Sequence, residues 1–235
     1  MDNKATFEKI YSVEDPWHYK NTISDRTRRS ILLKHINFIF ADGSRKDVLD
    51  AGCGEGYLTR DVAATYNAAI DAFDISENAL EIARKRNSHP NINYFQLDLN
   101  DFVPGKKYDL ILCEEALYYL GNEERVLTVN RFREALKDGG HLRLTAIIIG
   151  ETPDGNFFTP DTVREVVANS GLQLVSIWPS VIRKNLFEKV FYRLLEYLNK
   201  ARPVGTGLVE YFANRTRSRP LDKCRAISLL AKKIQ

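Results

Sequence analysis

A chain of 235 residues, 44% hydrophobic and 28% charged, holds enough apolar material for one large α/β domain with its own core, and this composition excludes large-scale disorder. The net charge of +3 is too small and too uneven for a general nucleic-acid binder: nine Lys or Arg stand against three Glu between Ser180 and Pro220, and the remainder is slightly acidic. Cys53, Cys113 and Cys224, like His18, His35, His89 and His141, have neither disulfide-framework nor metal-ligand spacing. With a polar N-terminus and no apolar run of membrane-spanning length, the expectation is a cytoplasmic protein without a metal.

Residues 1–23 are dense in aromatic side chains, Phe7, Tyr11, Trp17 and Tyr19, around a turn-like Glu14-Asp15-Pro16. They suit either a staple on the core or a flap over a ligand, because aromatic rings bring area and a polar tip at low entropic cost. From Ser24, read as a cap before Asp25, a helix places Ile31, Leu32, His35, Ile36 and Ile39 on one face and ends near Ala41-Asp42-Gly43.

Strands and helices then alternate. Strands are expected at Asp47–Asp50, Ala69–Asp74, Ile92–Leu97, Tyr108–Cys113 and His141–Ile149, with helices near Tyr57–Tyr66, Glu77–Arg86 and Asn122–Leu136. Such alternation builds a parallel sheet covered on both faces, with its ligand at the carboxyl ends of the strands. Pro160 opens a further helix that Gly171 stops, and Leu172–Trp178 reads as a sixth strand. Phe187, Val190, Phe191, Leu194, Leu195 and Leu198 form one amphipathic stripe, followed by a break at 202–207 and a shorter helical piece at Leu208–Asn214. The apolar run Cys224–Lys232 suits a terminal helix or, preferably, a buried strand. As a strand beside the sixth, it makes 180–220 a basic insertion, a cap on the same edge of the sheet as the ligand.

The chemistry centres on Asp50-Ala51-Gly52-Cys53-Gly54-Glu55-Gly56-Tyr57, a buried strand running into a glycine turn and a helix. Such a turn brings backbone N–H groups and the positive end of a helix against a ligand, although glycine turns also occur without one. A dinucleotide fingerprint would need its third glycine at Tyr57, so a pyrophosphate fits poorly. Asp74, ending the next strand, is placed to accept from both ribose hydroxyls, with Ile75 offering an apolar surface to a purine. Asp98, in Gln96-Leu97-Asp98-Leu99, is placed to accept from an exocyclic amine. A nucleoside without pyrophosphate fits best.

Val48–Gly56, Asp74, Asp98 and Tyr108-Asp109-Leu110-Ile111-Leu112 together resemble the successive motifs of class I S-adenosyl-L-methionine-dependent methyltransferases, over about Asp47–Ile149. Asp15-Pro16-Trp17 and Glu115-Ala116-Leu117-Tyr118-Tyr119-Leu120 are similar, more narrowly, to nodulation-type N-methyltransferases, which methylate an amino sugar. The resemblance implies a Rossmann-like seven-stranded, mostly parallel sheet with helices on both faces and an antiparallel last strand. It divides the chain into an aromatic flap and helix (1–45), a cofactor-binding core (47–178), the basic cap (180–220) and the last strand (222–235). S-adenosyl-L-methionine would be held by Asp50, Gly52, Gly54, Gly56, Asp74, Ile75, Asp98, Leu99 and Trp17, with Arg26 or Arg28 on its carboxylate. Glu115 and Tyr118 are the candidate catalytic residues, and Tyr11, Tyr19 and Tyr119 the candidate acceptor contacts. Since Glu114 and Glu115 are adjacent, only one faces the site if the stretch is extended; capping of the following helix is the alternative use of either.

The expected reaction is methylation of a small-molecule amine, an amino sugar or glycolipid. O-methylation of a small metabolite, RNA methylation and a catalytically silent cofactor-binding module are the alternatives. Against RNA, Cys113-Glu114-Glu115-Ala116 stands where base-amine methyltransferases carry Asn- or Asp-Pro-Pro-aromatic, and nothing suggests DNA. The basic stretch Arg183–Lys200 also suits weak contact with an anionic membrane surface or a lipid-linked substrate, while oligomeric state is not legible.

Overall fold

The computed structural model describes residues 3–17, 22–147, 159–182, 197, 206–218 and 224–234. Its first helix, α1 (Asn3–Ile10), lies in the stretch expected only as an aromatic flap, and none of its residues is buried. The next, α2 (Ile23–Ile36), is capped by Thr22 rather than Ser24, the Thr22 hydroxyl accepting from the Asp25 amide at 3.1 Å. With the cap two residues earlier, Asp25 remains in the first turn as expected, now as its third residue, where the helix dipole favours a carboxylate. A 3₁₀ turn (Asn37–Phe40) leads into β1 (Lys46–Ala51).

The order then runs α3 (Tyr57–Thr65), β2 (Ala68–Asp74), α4 (Glu77–Arg86), β3 (Ile92–Gln96), β4 (Tyr108–Glu114), α5 (Asn122–Ala135) and β5 (Leu136–Ile147). It continues through α6 (Pro160–Asn169), β6 (Leu172–Ile182), α7 (Thr206–Arg217) and β7 (Cys224–Lys233). The seven strands form one sheet ordered β3-β2-β1-β4-β5-β7-β6. β1, β2, β3, β4 and β5 pair in parallel, and β7 is antiparallel to both of its neighbours, as the apolar run at Cys224–Lys232 suggested.

Two strands differ from expectation. β5 begins at Leu136, not at His141, because Leu136 pairs with Tyr108 and the Lys137 ammonium bridges Asp47 (2.9 Å) and Asp109 (2.8 Å). A Lys-Asp-Gly-Gly stretch that reads as a turn is thereby pulled into the sheet. β6 runs on past Trp178 to Ile182 because β7 pairs with it as far as Cys224.

Each face of the sheet buries an apolar layer. Leu32 and Ile36 of α2 and Val62 of α3 pack on Val48, Ile70, Leu110 and Leu112, while Val129 and Phe132 of α5 and Val163 of α6 pack on Leu49, Phe73, Ile111 and Leu144. Strand residues alternate between the two layers, as the two-residue pleat requires. Of the insertion, α7 is longer than the helical piece expected at Leu208–Asn214 and rests on α2, where Phe212 meets Ile23 and Glu210 takes Ser30 and Lys34. The stripe from Phe187 to Leu198 lies outside the described residues apart from exposed Tyr197. Strand order reverses between β1 and β4, so a crevice opens beyond their carboxyl ends.

Candidate active site

Asp50 ends β1 beneath that crevice, 1% exposed, and its carboxylate accepts from the Thr59 hydroxyl at 2.7 Å. Burial pushes its pKa up to about 7, and the nearby charges of Glu114 and Asp74 add to the shift. The turn that follows is drawn onto β2, with the Gly52 and Cys53 amides both donating to the Phe73 carbonyl (2.8 and 2.9 Å).

Two of its glycines are required for separate reasons. Gly52 has φ +79°, and a side chain there would begin 2.5 Å from the Ala116 Cβ, so the glycine turn and the turn after β4 touch backbone to side chain. At Gly56, φ +74°, a side chain would collide with the Tyr94 hydroxyl and crowd Ala83, so this glycine serves helix packing. Between them Gly54 donates its N–H to Asp74 at 2.8 Å.

Asp74 is buried at the end of β2, and its second oxygen accepts from the Ser76 amide at 3.0 Å. Burial raises its pKa, while the amides of Ser76 and Gly54 pull the other way. With the Ile75 amide, these backbone donors occupy three of the four lone-pair directions of the carboxylate and leave room for a further donor such as a ribose hydroxyl. Half-buried Ile75 follows directly, its carbonyl held by Gln96 at 2.9 Å. Asp98 caps the short 3₁₀ turn at Leu99–Asp101 through the Asn100 amide, 2.9 Å away. A turn with glycine at every second position, an acid at the strand end beside it and an apolar step after that acid fit an adenosyl group.

Residues 3–17 strap across this region. The Glu8 carboxylate sits on the N-terminus of α4, taking the amides of Glu77 (2.8 Å) and Asn78 (3.1 Å) and the Ser76 hydroxyl (2.9 Å). Ser76 itself caps the Ala79 amide, so the first three donors of α4 are all satisfied. Burial would raise the Glu8 pKa, but these hydrogen bonds outweigh it and leave it lowered. The Tyr11 hydroxyl stands 2.9 Å from where a Gly54 side chain would begin and accepts from Trp17 Nε1 at 3.1 Å. The Asp15 amide donates to Glu55 at 2.8 Å, and the Phe7 ring meets Tyr119 edge-on at 4.9 Å. Trp17 and Tyr11 thus lie together at the turn, whereas Tyr19 is outside the described residues.

The two adjacent glutamates part company at the end of β4. Glu114, still in the strand, pairs with fully buried Arg143 and accepts from the Thr145 hydroxyl at 2.5 Å. Arg143 donates to Ser228 (3.0 Å), which lies 3.0 Å from Thr145, so the four groups close a ring across β4, β5 and β7. Glu115 leaves the strand at φ +55° and meets Arg28 of α2 at 2.9 Å. Neither glutamate caps α5; Glu124 does so, accepting from the Gly121 amide at 2.7 Å. Tyr118 is buried in the following 3₁₀ turn, its ring 4.5 Å from that of Tyr119.

The Arg28 guanidinium also holds Asp25 at 3.2 Å, and Arg29 holds both Asp25 (2.7 Å) and Asp61 (2.5 Å). Of the two arginines considered for a cofactor carboxylate, Arg28 is the one brought to Glu115; Arg26 shares its helix turn. Sequence reasoning missed Glu8, Arg143 and the Asp25–Arg29–Asp61 chain, because each contact joins distant positions without a local signature. Among the described residues, no three His, Cys, Asp or Glu side chains gather as metal ligands and no helix is long and apolar enough to cross a membrane.

Residues 48–140 match the family described as "Methyltransferase domain". Over 159 residues the chain is 32% identical to malonyl-[acyl-carrier protein] O-methyltransferase of Halalkalibacterium halodurans, covering 65% of this chain and 51% of that protein. Over 157 residues it is 27% identical to nodulation protein S of Rhizobium tropici, covering 66% and 62% respectively. The chain therefore spans between half and two thirds of the length of these two relatives. Its fold superposes on the N-methyltransferase NodS from Bradyrhizobium japonicum WM9, in complex with S-adenosyl-L-homocysteine, with a TM-score of 0.65 at 17% identity and complete coverage of both chains. With this sheet order, an acid near the end of each of the first two strands and a sequence match running from Val48 in β1 into β5, residues 48–140 carry a methyltransferase domain and the chain is similar to the class I S-adenosyl-L-methionine-dependent methyltransferases.

Proposed function

We propose that this chain methylates an amine on a small molecule, an amino sugar or glycolipid, at the crevice between β1 and β4. When bound, S-adenosyl-L-methionine supplies an electrophilic methyl carbon on a sulfonium. Asp74 is suited to the ribose hydroxyls, Ile75 and Leu99 to the faces of the base, Asp98 to its amine, and Arg28 to the methionyl carboxylate. Methyl transfer needs alignment and exclusion of water more than a strong base, and the strap at residues 3–17, with Tyr11 and Trp17 over the turn, supplies cover.

The observation that carries the amine reading is the placement of Glu115. It is turned out of the strand at φ +55°, beside Tyr118 and Tyr119 and away from the buried ring that occupies Glu114. A carboxylate there can hold a neutral amine and accept its proton as the new C–N bond forms. Nodulation protein S among the relatives, and the N-methyltransferase that shares the fold, support this choice. O-methylation is the second reading, supported by the O-methyltransferase relative.

The test is formation of S-adenosylhomocysteine with matched amino-sugar, hydroxyl and carboxyl acceptors. Turnover with the amine alone, reduced about 100-fold by Glu115→Gln, is expected. Equal turnover with a carboxyl acceptor, insensitive to Glu115, would establish the O-methyltransferase instead.

A further inference from the structure

We infer that Arg28 and Glu115 form an exchangeable pair that makes binding ordered: the cofactor carboxylate takes Arg28, and Glu115 is released to the acceptor amine. This rests on the methyltransferase reading and concerns the regulation of that same site. Three features of the pair carry it. First, it joins α2 to the turn after β4, at the carboxyl ends of the strands, so it links the arginine proposed for the cofactor carboxylate to the residue proposed for the acceptor. Second, both side chains are 17% exposed, so a ligand can reach them, unlike the closed ring around Arg143.

Third, an exchange leaves no buried charge stranded. Asp25, also a partner of Arg28, keeps Arg29 at 2.7 Å, and Arg29 is anchored in turn by Asp61. An arriving carboxylate replaces one carboxylate on the guanidinium by another, preserving its charge balance. Glu115, its contact with Arg28 given up, can then turn to the acceptor amine. Linkage makes the effect reciprocal: whatever favours cofactor on Arg28 favours amine at Glu115.

Calorimetry with two ligands separates the outcomes, using S-adenosylhomocysteine and 5′-methylthioadenosine, which shares the nucleoside but lacks the carboxylate. Glu115→Gln removes the competitor for Arg28. It should tighten S-adenosylhomocysteine by about fivefold or more, leave methylthioadenosine unchanged, and lose its effect in an Arg28→Ala background. Weaker or unchanged S-adenosylhomocysteine binding in Glu115→Gln, or equal tightening of both ligands, overturns the exchange. If Arg28→Ala does not fold, the two-ligand comparison decides alone. Failure of the wild-type chain to bind either nucleoside would instead overturn the cofactor reading beneath it.

Discussion

Glu114 and Glu115 are neighbours in sequence and opposites in environment. The first extends its strand and ends in a closed ring with Arg143, Ser228 and Thr145; the second turns into the left-handed region and meets Arg28 at the edge of a crevice. A buried ion pair has lost its hydration and is tolerable only with every remaining donor and acceptor matched. The Arg143 ring matches most of these with two hydroxyls, leaving only the buried Nε outside both its hydrogen bonds and its ion pair, and it cannot trade partners without stranding a charge. The Arg28–Glu115 pair keeps some contact with water on both sides, so it can trade partners more readily than the ring around Arg143. One residue of chain thus separates a fixed structural charge from a usable one.

Breaking the fixed member should have the largest effect. Arg143→Met leaves the Glu114 carboxylate buried without its cation and should cost about 3–5 kcal/mol in urea unfolding at neutral pH. A loss below about 1 kcal/mol would mean that water reaches Glu114 and that the two glutamates differ less than their surroundings suggest.

Asp50 sharpens the comparison, because the Glu114 charge reaches it through the core. With a native pKa of about 7 against an ordinary 3.8, the native state keeps a proton that the unfolded chain has already released. Stability therefore falls as pH rises from about 4 to about 7, by at most about 4 kcal/mol from this group. Asp50→Asn should remove that slope, read as the difference between wild-type and variant urea midpoints across this range. Parallel pH profiles for the two proteins would show that Asp50 is already ionised in the native state.

The exchangeable member should show the smallest stability change. Glu115→Gln should alter unfolding free energy by no more than about 1 kcal/mol, even while turnover falls. A loss matching that of Arg143→Met would place Arg28–Glu115 among the fixed pairs.

Much of the frame was legible because it depends on local pattern. The alternation of apolar runs with helical stretches marks the strands up to β4, and Asp74 could be placed because strand ends and acids follow each other in sequence. The glycine turn was visible for the same reason, although the separate demands of Ala116 on Gly52 and Tyr94 on Gly56 were not. What escaped notice depends on contacts between remote positions. Glu8 reaches Ser76 and Asn78 across the fold, and nothing in Lys4–Ile10 announces it. The start of β5 at Leu136 was hidden because a Lys137 bridge, not β-propensity, holds a glycine pair in the sheet. The parting of the glutamates was undecidable from period alone, since a positive φ at Glu115 has no residue signature when the residue is not glycine.

The attachment of α1 sets a timescale as well as a position. A helix with no buried residue, attached through the Glu8 carboxylate and carbonyl and through the edge-on contact of Phe7 with Tyr119, adds little to the cooperative unit that melts with the sheet. Water can replace the hydrogen bonds of Glu8 at small free-energy cost, so α1 is expected to detach and reseat many times during one lifetime of the folded core. Amide hydrogens of α1 will therefore exchange with solvent well before those of β1 or β4, and the crevice beneath will be visited by solvent at that rate rather than at the rate of unfolding.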